Sequence, residues 1–250
     1  MINTYNESDL HATLKKIYAL ESNGTMEVRL DDTPWICDIL DENGNAIEIQ
    51  TANLSALREK AEYILETGRK IKIVHPIAET KWIEVYEPNG NLLHRKKSPK
   101  KATFFDSLRG MTQICPLFMK ENCSLEVLFC EIAELRRKTA EPIQNQNKTR
   151  RYLKDWLPMG KRLEKILRKE KFEKKEDWFA LMPEKVTKKD ENGSIQTFRA
   201  IDLYRAQKEE KGAKIAKWSN LLIWTFLKMG ILEIAEKKGR SKIYKLSSMQ

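Results

Sequence analysis

The sequence is poor in the residues that build metal knots and cross-links. Its 250 residues hold 4 Cys and 3 His. Cys37, Cys115, Cys123 and Cys130 show neither CxxC spacing nor a neighbouring pair of His, which argues against a zinc ribbon or a disulfide framework. They are expected to be reduced and mostly buried. No run approaches the roughly 18 to 20 consecutive apolar residues of a membrane helix. The start, MINTYNESDL, has neither the basic segment nor the apolar core of a secretory signal. The expectation is a soluble cytoplasmic protein with no membrane partner.

Excess acid is what the C-terminal part lacks. From residue 148 onward there are 27 Lys and Arg against 14 Asp and Glu, whereas the residues before it hold 19 against 22. A net charge of +10 so unevenly spread suggests that the second part meets a polyanion while the first does work that needs carboxylates. A solvated lysine-rich surface is the competing explanation. With 41% hydrophobic and 33% charged residues, the chain suffices for one large domain or two modest ones.

Residues 6 to 20 predict a helix capped by Asn6, with Leu10, Leu14, Ile17 and Tyr18 on its apolar face. WICDIL and AIEIQT then predict strands whose side chains alternate faces, so Ile36, Asp38 and Leu40 share one face while Trp35, Cys37 and Ile39 share the other. Asn43-Gly44 supplies the positive φ of a tight turn between them, and Glu48 and Gln50, two apart, point the same way. An ionised carboxylate among apolar neighbours needs a compensating charge. A hard divalent ion, which takes oxygen ligands, is one such charge. Solvated acids on an open sheet face are the alternative.

This order (helix, strand, Asp-bearing strand, Asn-Gly turn, strand with Glu-x-Gln, helix) resembles the PD-(D/E)xK nuclease fold over roughly residues 1 to 100. The resemblance implies a mixed-sheet α/β, restriction-endonuclease-like N-terminal domain. Asp38 falls at the metal-binding aspartate, Glu48 at the acid of the half-motif and Gln50 at the lysine position, where a neutral amide is a departure. A glutamate of the first helix often completes such metal sites, which makes Glu7 a candidate. Glu7 also fits a first-turn acid stabilising the helix dipole, and His11 either a phosphate or water contact or a structural residue. The expected metal is Mg2+, with Mn2+ as a substitute.

After Gln50, Asn53 is expected to cap a helix bearing Leu54, Leu57, Ala61, Ile64 and Leu65 and ended by Gly68. Lys60 on its polar side could replace the lysine missing at Gln50. KIKIVHPI predicts a short strand, Pro88-Asn89-Gly90 a hairpin turn, and HRKKSPKKA a basic loop whose Lys96 and Lys97 could grip a phosphate backbone. A helix is expected over 103 to 120. Residues 1–142 then form the nuclease-like domain and 143–174 a linker and connecting helix, with short helices broken at Pro158 and Pro183.

The last part, 175–250, predicts a helix capped by Thr197, a second from Ala213 to Gly230, and two strands around Lys238-Gly239-Arg240. Helix, helix, hairpin resembles a mainly α winged helix-turn-helix domain. The resemblance places Lys214, Lys217 and Asn220 on a groove-entering helix and Lys237, Lys238, Arg240 and Lys242 on the wing. Trp218 and Trp224 are expected to be buried. Together these features suggest a Mg2+-dependent endonuclease acting on double-stranded DNA, for restriction or repair, as a homodimer because symmetric duplex cleavage calls for two active sites. A catalytically inactive DNA-binding regulator is the alternative, and an RNA-processing nuclease a third.

Overall fold

The computed structural model describes residues 9–31, 33–144, 153–187, 196–239 and 241–247. In chain order the first elements are α1 (Asp9–Glu21), β1 (Thr25–Arg29), β2 (Ile36–Leu40) and β3 (Ala46–Ile49). Then come α2 (Arg58–Glu66), β4 (Ile71–Tyr86), β5 (Leu92–Lys97), β6 (Cys123–Ile143) and β7 (Lys154–Phe172). The last are α3 (Glu184–Thr187), β8 (Phe198–Arg199), α4 (Ala200–Lys211), α5 (Ala213–Ala216), α6 (Ser219–Lys228), β9 (Leu232–Lys238) and β10 (Ser241–Leu246). The protein is a mixed α/β chain in which β1 to β7 belong to one large mixed sheet and β8 to β10 to a small one. It divides into two compact units, Met1–Asn43 with Pro76–Thr103 and Val127–Glu170, and Gly44–His75 with Phe104–Glu126 and Lys171–Gln250.

In the first unit α1 buries Leu10, Leu14 and Tyr18, the four-residue spacing that puts side chains on one helix face. β1 and β2 pair antiparallel, with Met26 opposite Ile39 and Val28 opposite Cys37. The predicted alternation in β2 is present: Cys37 and Ile39 are fully buried while Ile36, Asp38 and Leu40 are half-buried. β4 and β5 form the expected hairpin, Gly90 supplying φ 91 and the Asn89 side chain accepting from the Asn91 amide. The outer strands follow in the order β4, β6, β7.

In the second unit β3 lies parallel to the start of β4, with Glu48 opposite Ile73. A parallel pair needs a crossover, and α2 provides it. As expected, the Asn53 side chain caps the 3-10 turn Leu54–Leu57 that leads into α2. Phe104, Phe118 and Phe172 gather round the fully buried Trp178 with ring centroids 4.6 to 6.1 Å apart. Near the C-terminus β10 pairs antiparallel with both β8 and β9.

Several expected elements are different. The helices expected within 154–172 are the single strand β7. Its charged pairs Arg162–Glu164 and Arg168–Glu170 are two residues apart, a spacing that shares a face on a strand but not on a helix. KIKIVHPI and the following strand are one strand, β4, running through Pro76. The expected helix over 103–120 is two 3-10 segments, Phe104–Met111 and Cys115–Met119, the second with Pro116, which has no N–H to donate, in its first turn.

The predicted 213–230 helix splits into α5 and α6. Buried Ser219 sits at the break with its hydroxyl 2.6 Å from Gln207 Oε1 and 2.7 Å from the Ala216 carbonyl, a local bond that competes with the helix ladder. Thr197 does not open α4. Arg199 does, its amide donating to Asp202 at 2.9 Å. The basic loop is in part strand β5, which carries Lys96 and Lys97.

Candidate active site

The residues singled out from the sequence fall into clusters within each unit. In the first, α1 lays two basic side chains, one helical turn apart, over acids of β1 and β2. His11 Nε2 lies 3.4 Å from Asp38 Oδ2, and Lys15 Nζ lies 2.8 Å from Glu27 Oε1. The pairing register sets Glu27 across from Asp38. Glu27 has φ 57, a conformation that costs an ordinary L-residue about 1–2 kcal/mol. Neither Lys15 nor Glu27 stood out in the sequence. The helix register places Lys15 one turn after His11, but nothing local marks Glu27 as its partner. Asn6, Glu7, Arg240 and the side chain of Lys238 lie outside the described residues.

In the second unit Glu48 is 2% exposed on a strand buried at every position. Lys60 reaches from α2 and sets its ammonium 2.6 Å from Glu48 Oε1. Gln50, just past the end of β3, turns its side-chain amide to donate to the Asn53 carbonyl at 2.7 Å, tying the strand end to the entry of α2.

The main-chain carbonyl of Gln50 meets His75, which did not stand out in the sequence. Its Nδ1 is 2.6 Å from the Gln50 carbonyl and its Nε2 2.9 Å from the Ser107 hydroxyl. A carbonyl can only accept, so Nδ1 carries the proton and Nε2 accepts from Ser107. Burial pushes the His75 pKa below the ordinary value, the Gln50 carbonyl opposing the shift in part. The ring is neutral and locked in one tautomer. Its partners are 25 and 32 residues away, so no local pattern could reveal it.

Among the described residues no group of three or more His, Cys, Asp or Glu is arranged to hold a metal ion. The carboxylates of Asp38 and Glu48 are hard oxygen donors of the kind Mg2+ takes, and that ion is commonly held by only one or two carboxylates with waters.

The residues expected on nucleic acid are distributed over the second unit and β5. Lys214 is exposed on α5 and Lys217 in the turn after it. Asn220 is exposed on the first turn of α6. Lys237 and Lys242 are exposed and face each other across β9 and β10. Lys96 and Lys97 are exposed on β5. Trp218 is half-buried, whereas Trp224 is 41% exposed, so the expectation that it belongs to the core is corrected. Leu222, Ile223 and Phe226 fill the inner face of α6. Trp224 falls with Asn220 and Lys228 on the outer face at four-residue spacing, the Lys228 ammonium 5.7 Å from its ring centroid.

No helix among the described residues is long and apolar enough to cross a membrane. No solved structure matches the chain. A protein of Treponema pallidum (strain Nichols), described as "Uncharacterized protein", is 30% identical over 128 residues, covering 51% of this chain and 49% of its own. The chain thus spans about half the length of that relative. A family described as "Domain of unknown function (DUF8091)" matches residues 8–173, from α1 to just past the end of β7. On that match, which takes in well over half of the chain, the protein belongs to the DUF8091 family.

Proposed function

We propose that this protein is a metal-dependent DNA endonuclease that hydrolyses phosphodiester bonds. The carrying observation is the Lys60–Glu48 contact at 2.6 Å. It brings a helix-borne cation to the very carboxylate whose own strand offers only Gln50 at the lysine position. The chain order of helix, three strands, helix, strand, with β3 parallel to β4, also suits a PD-(D/E)xK-like core.

The assignment of Asp38 and Glu48 to one Mg2+ comes from their places on successive strands, and Glu7 is assigned by resemblance alone. Such an ion, when bound, lowers the pKa of water and neutralises charge at the phosphate. Lys60 holds the Glu48 carboxylate in position and offers an N–H to orient the attacking water. Gln50 fixes the entry of α2, which sets where Lys60 starts. His11 steadies Asp38 from α1.

DNA is the proposed partner. The sequence β8, α4, α5 with α6, then the β9–β10 hairpin with β8 paired to β10, supports a winged-helix reading. The outer face of α6 would then meet the duplex groove while Lys237 and Lys242 touch phosphates. Restriction or repair in the cytoplasm, as a homodimer, fits that activity.

A second reading is favoured by the same ion pair. A glutamate compensated by Lys60 needs no cation, which suits a DNA-binding regulator without catalysis. Incubation with plasmid and phage DNA in Mg2+ or Mn2+ separates the two. Nicking by the wild type that is lost in Asp38→Ala, Glu48→Ala and Lys60→Ala variants that remain folded supports the nuclease. Tight, salt-sensitive duplex binding with no cutting under either metal supports the regulator.

A further inference from the structure

The first unit carries a cavity of about 440 Å³ whose lining, Lys96 apart, lies outside the residues discussed above. Ile83 and Val85 of β4 and Leu93 of β5 give it apolar walls, and Lys96, Arg136 and Lys138 give it cations. The pairing register puts Ile83 beside Lys96, so apolar wall and charge come from neighbouring strands. Asp155 is the acid that lines it. Among the described residues Lys96 and Lys138 have no carboxylate within ion-pair distance.

Arg136 is set differently. Its guanidinium lies 3.7 Å from the ring centroid of Trp156, which also lines the cavity. Its Nε and Nη2 both donate to Glu134, at 2.8 and 2.5 Å. Glu134 is held in turn by Lys81 at 2.7 Å. The Lys154 ammonium lies 4.1 Å from the same Trp156 centroid, so the ring already carries two cations. The flat surface for a base is the guanidinium of Arg136, fixed by its own hydrogen bonds, because guanidinium planes take flat bases.

We infer that this cavity binds a nucleotide, its base against the apolar walls and the Arg136–Trp156 stack, its phosphate at Lys96 and Lys138. Cations gathered on a concave surface concentrate an anion. The apolar walls and the stack suit an anion that carries a flat, weakly polar body. The volume falls within the roughly 300–1,000 Å³ of small-ligand sites, which suits one nucleotide. That nucleotide is either free or splayed from a single strand, since both offer the same base and phosphate. The inference goes beyond the nuclease reading, because it uses no divalent metal and none of Asp38, Glu48 or Lys60.

Isothermal titration of the full chain in EDTA tests it, with adenosine monophosphate, adenosine, inorganic phosphate and a short single-stranded oligonucleotide as probes. Adenosine monophosphate is expected to bind at least about tenfold tighter than adenosine or phosphate alone, roughly 1.4 kcal/mol. A Lys96→Ala/Lys138→Ala double variant should lose about the same factor with its thermal melting unchanged, both side chains being exposed. Tighter binding of the oligonucleotide, lost in the same variant, identifies a strand as the source. Comparable binding of monophosphate and oligonucleotide identifies the free nucleotide. Failure of the monophosphate to bind, phosphate binding as well as monophosphate, or an equal loss in a Lys237→Ala/Lys242→Ala control overturns the inference. Cutting assays in Mg2+ remain a separate readout, so failure here leaves the nuclease reading standing or falling on its own test.

Discussion

Lys60 and Glu48 form an ion pair at 2.6 Å with the carboxylate 2% and the lysine 12% exposed. Removing one partner from such a pair strands a buried charge. Lys60→Met is therefore expected to destabilise the fold by about 3–5 kcal/mol. Replacing both, as Lys60→Met/Glu48→Gln, should recover most of that loss. Urea denaturation of the wild type, the two single variants and the double variant measures the coupling. If the single and double variants were equally unstable, the pair would not be the source of the loss.

Glu27 gives a test that separates backbone from side chain. Its φ of 57 is strained for any residue with a Cβ, and glycine adopts that conformation freely. Glu27→Gly and Glu27→Ala both lose the contact with Lys15, but only glycine releases the strain. The glycine variant should be more stable than the alanine variant by about 1 kcal/mol. Equal denaturation midpoints would show that β1 relaxes elsewhere.

His75 predicts a pH dependence whose sign follows from burial. Its folded pKa lies below the ordinary 6.5, so the unfolded chain binds the proton more readily. Stability is then fully present above the unfolded value and declines as pH falls below about 6.5 towards the folded pKa. His75→Gln should flatten the stability curve between pH 7 and 5, whatever its absolute stability. A wild-type curve with no slope in that window would mean the ring does not resist protonation.

How far the sequence could be read depended on how local the cause was. The Asn53 cap, the Asn89-Gly90 turn, the buried face of α1 and the alternation around Asp38 rest on neighbours within a few residues, and all were legible. Lys60 could be suspected as a stand-in for the missing lysine, though its ion pair with Glu48 depends on the crossover that lays α2 beside β3. β7 was misjudged because Leu163, Ile166 and Leu167 fit helical spacing while its strand character comes from partners elsewhere in the sheet. β4 continues through Pro76 because the sheet, not the local preference, decides its length. The Lys15–Glu27 and His75–Ser107 contacts join residues 12 and 32 positions apart, and no pattern within either segment announces its partner.

Trp224 and Phe226, two residues apart on α6, separate the proposed DNA contact from stability. Phe226 is fully buried and Trp224 is 41% exposed. Phe226→Ala should cost about 3–5 kcal/mol, whereas Trp224→Ala should shift stability by no more than about 0.5 kcal/mol. If α6 faces DNA, Trp224→Ala weakens duplex binding while leaving its salt dependence intact, because the side chain carries no charge. Lys217→Ala and Lys228→Ala should each flatten the plot of log affinity against log salt by about one unit, the signature of a lost phosphate contact. Anisotropy titrations of a labelled duplex at several salt concentrations read both effects. If all three variants bound like the wild type at every salt concentration, neither the outer face of α6 nor the turn that carries Lys217 would be a nucleic-acid surface.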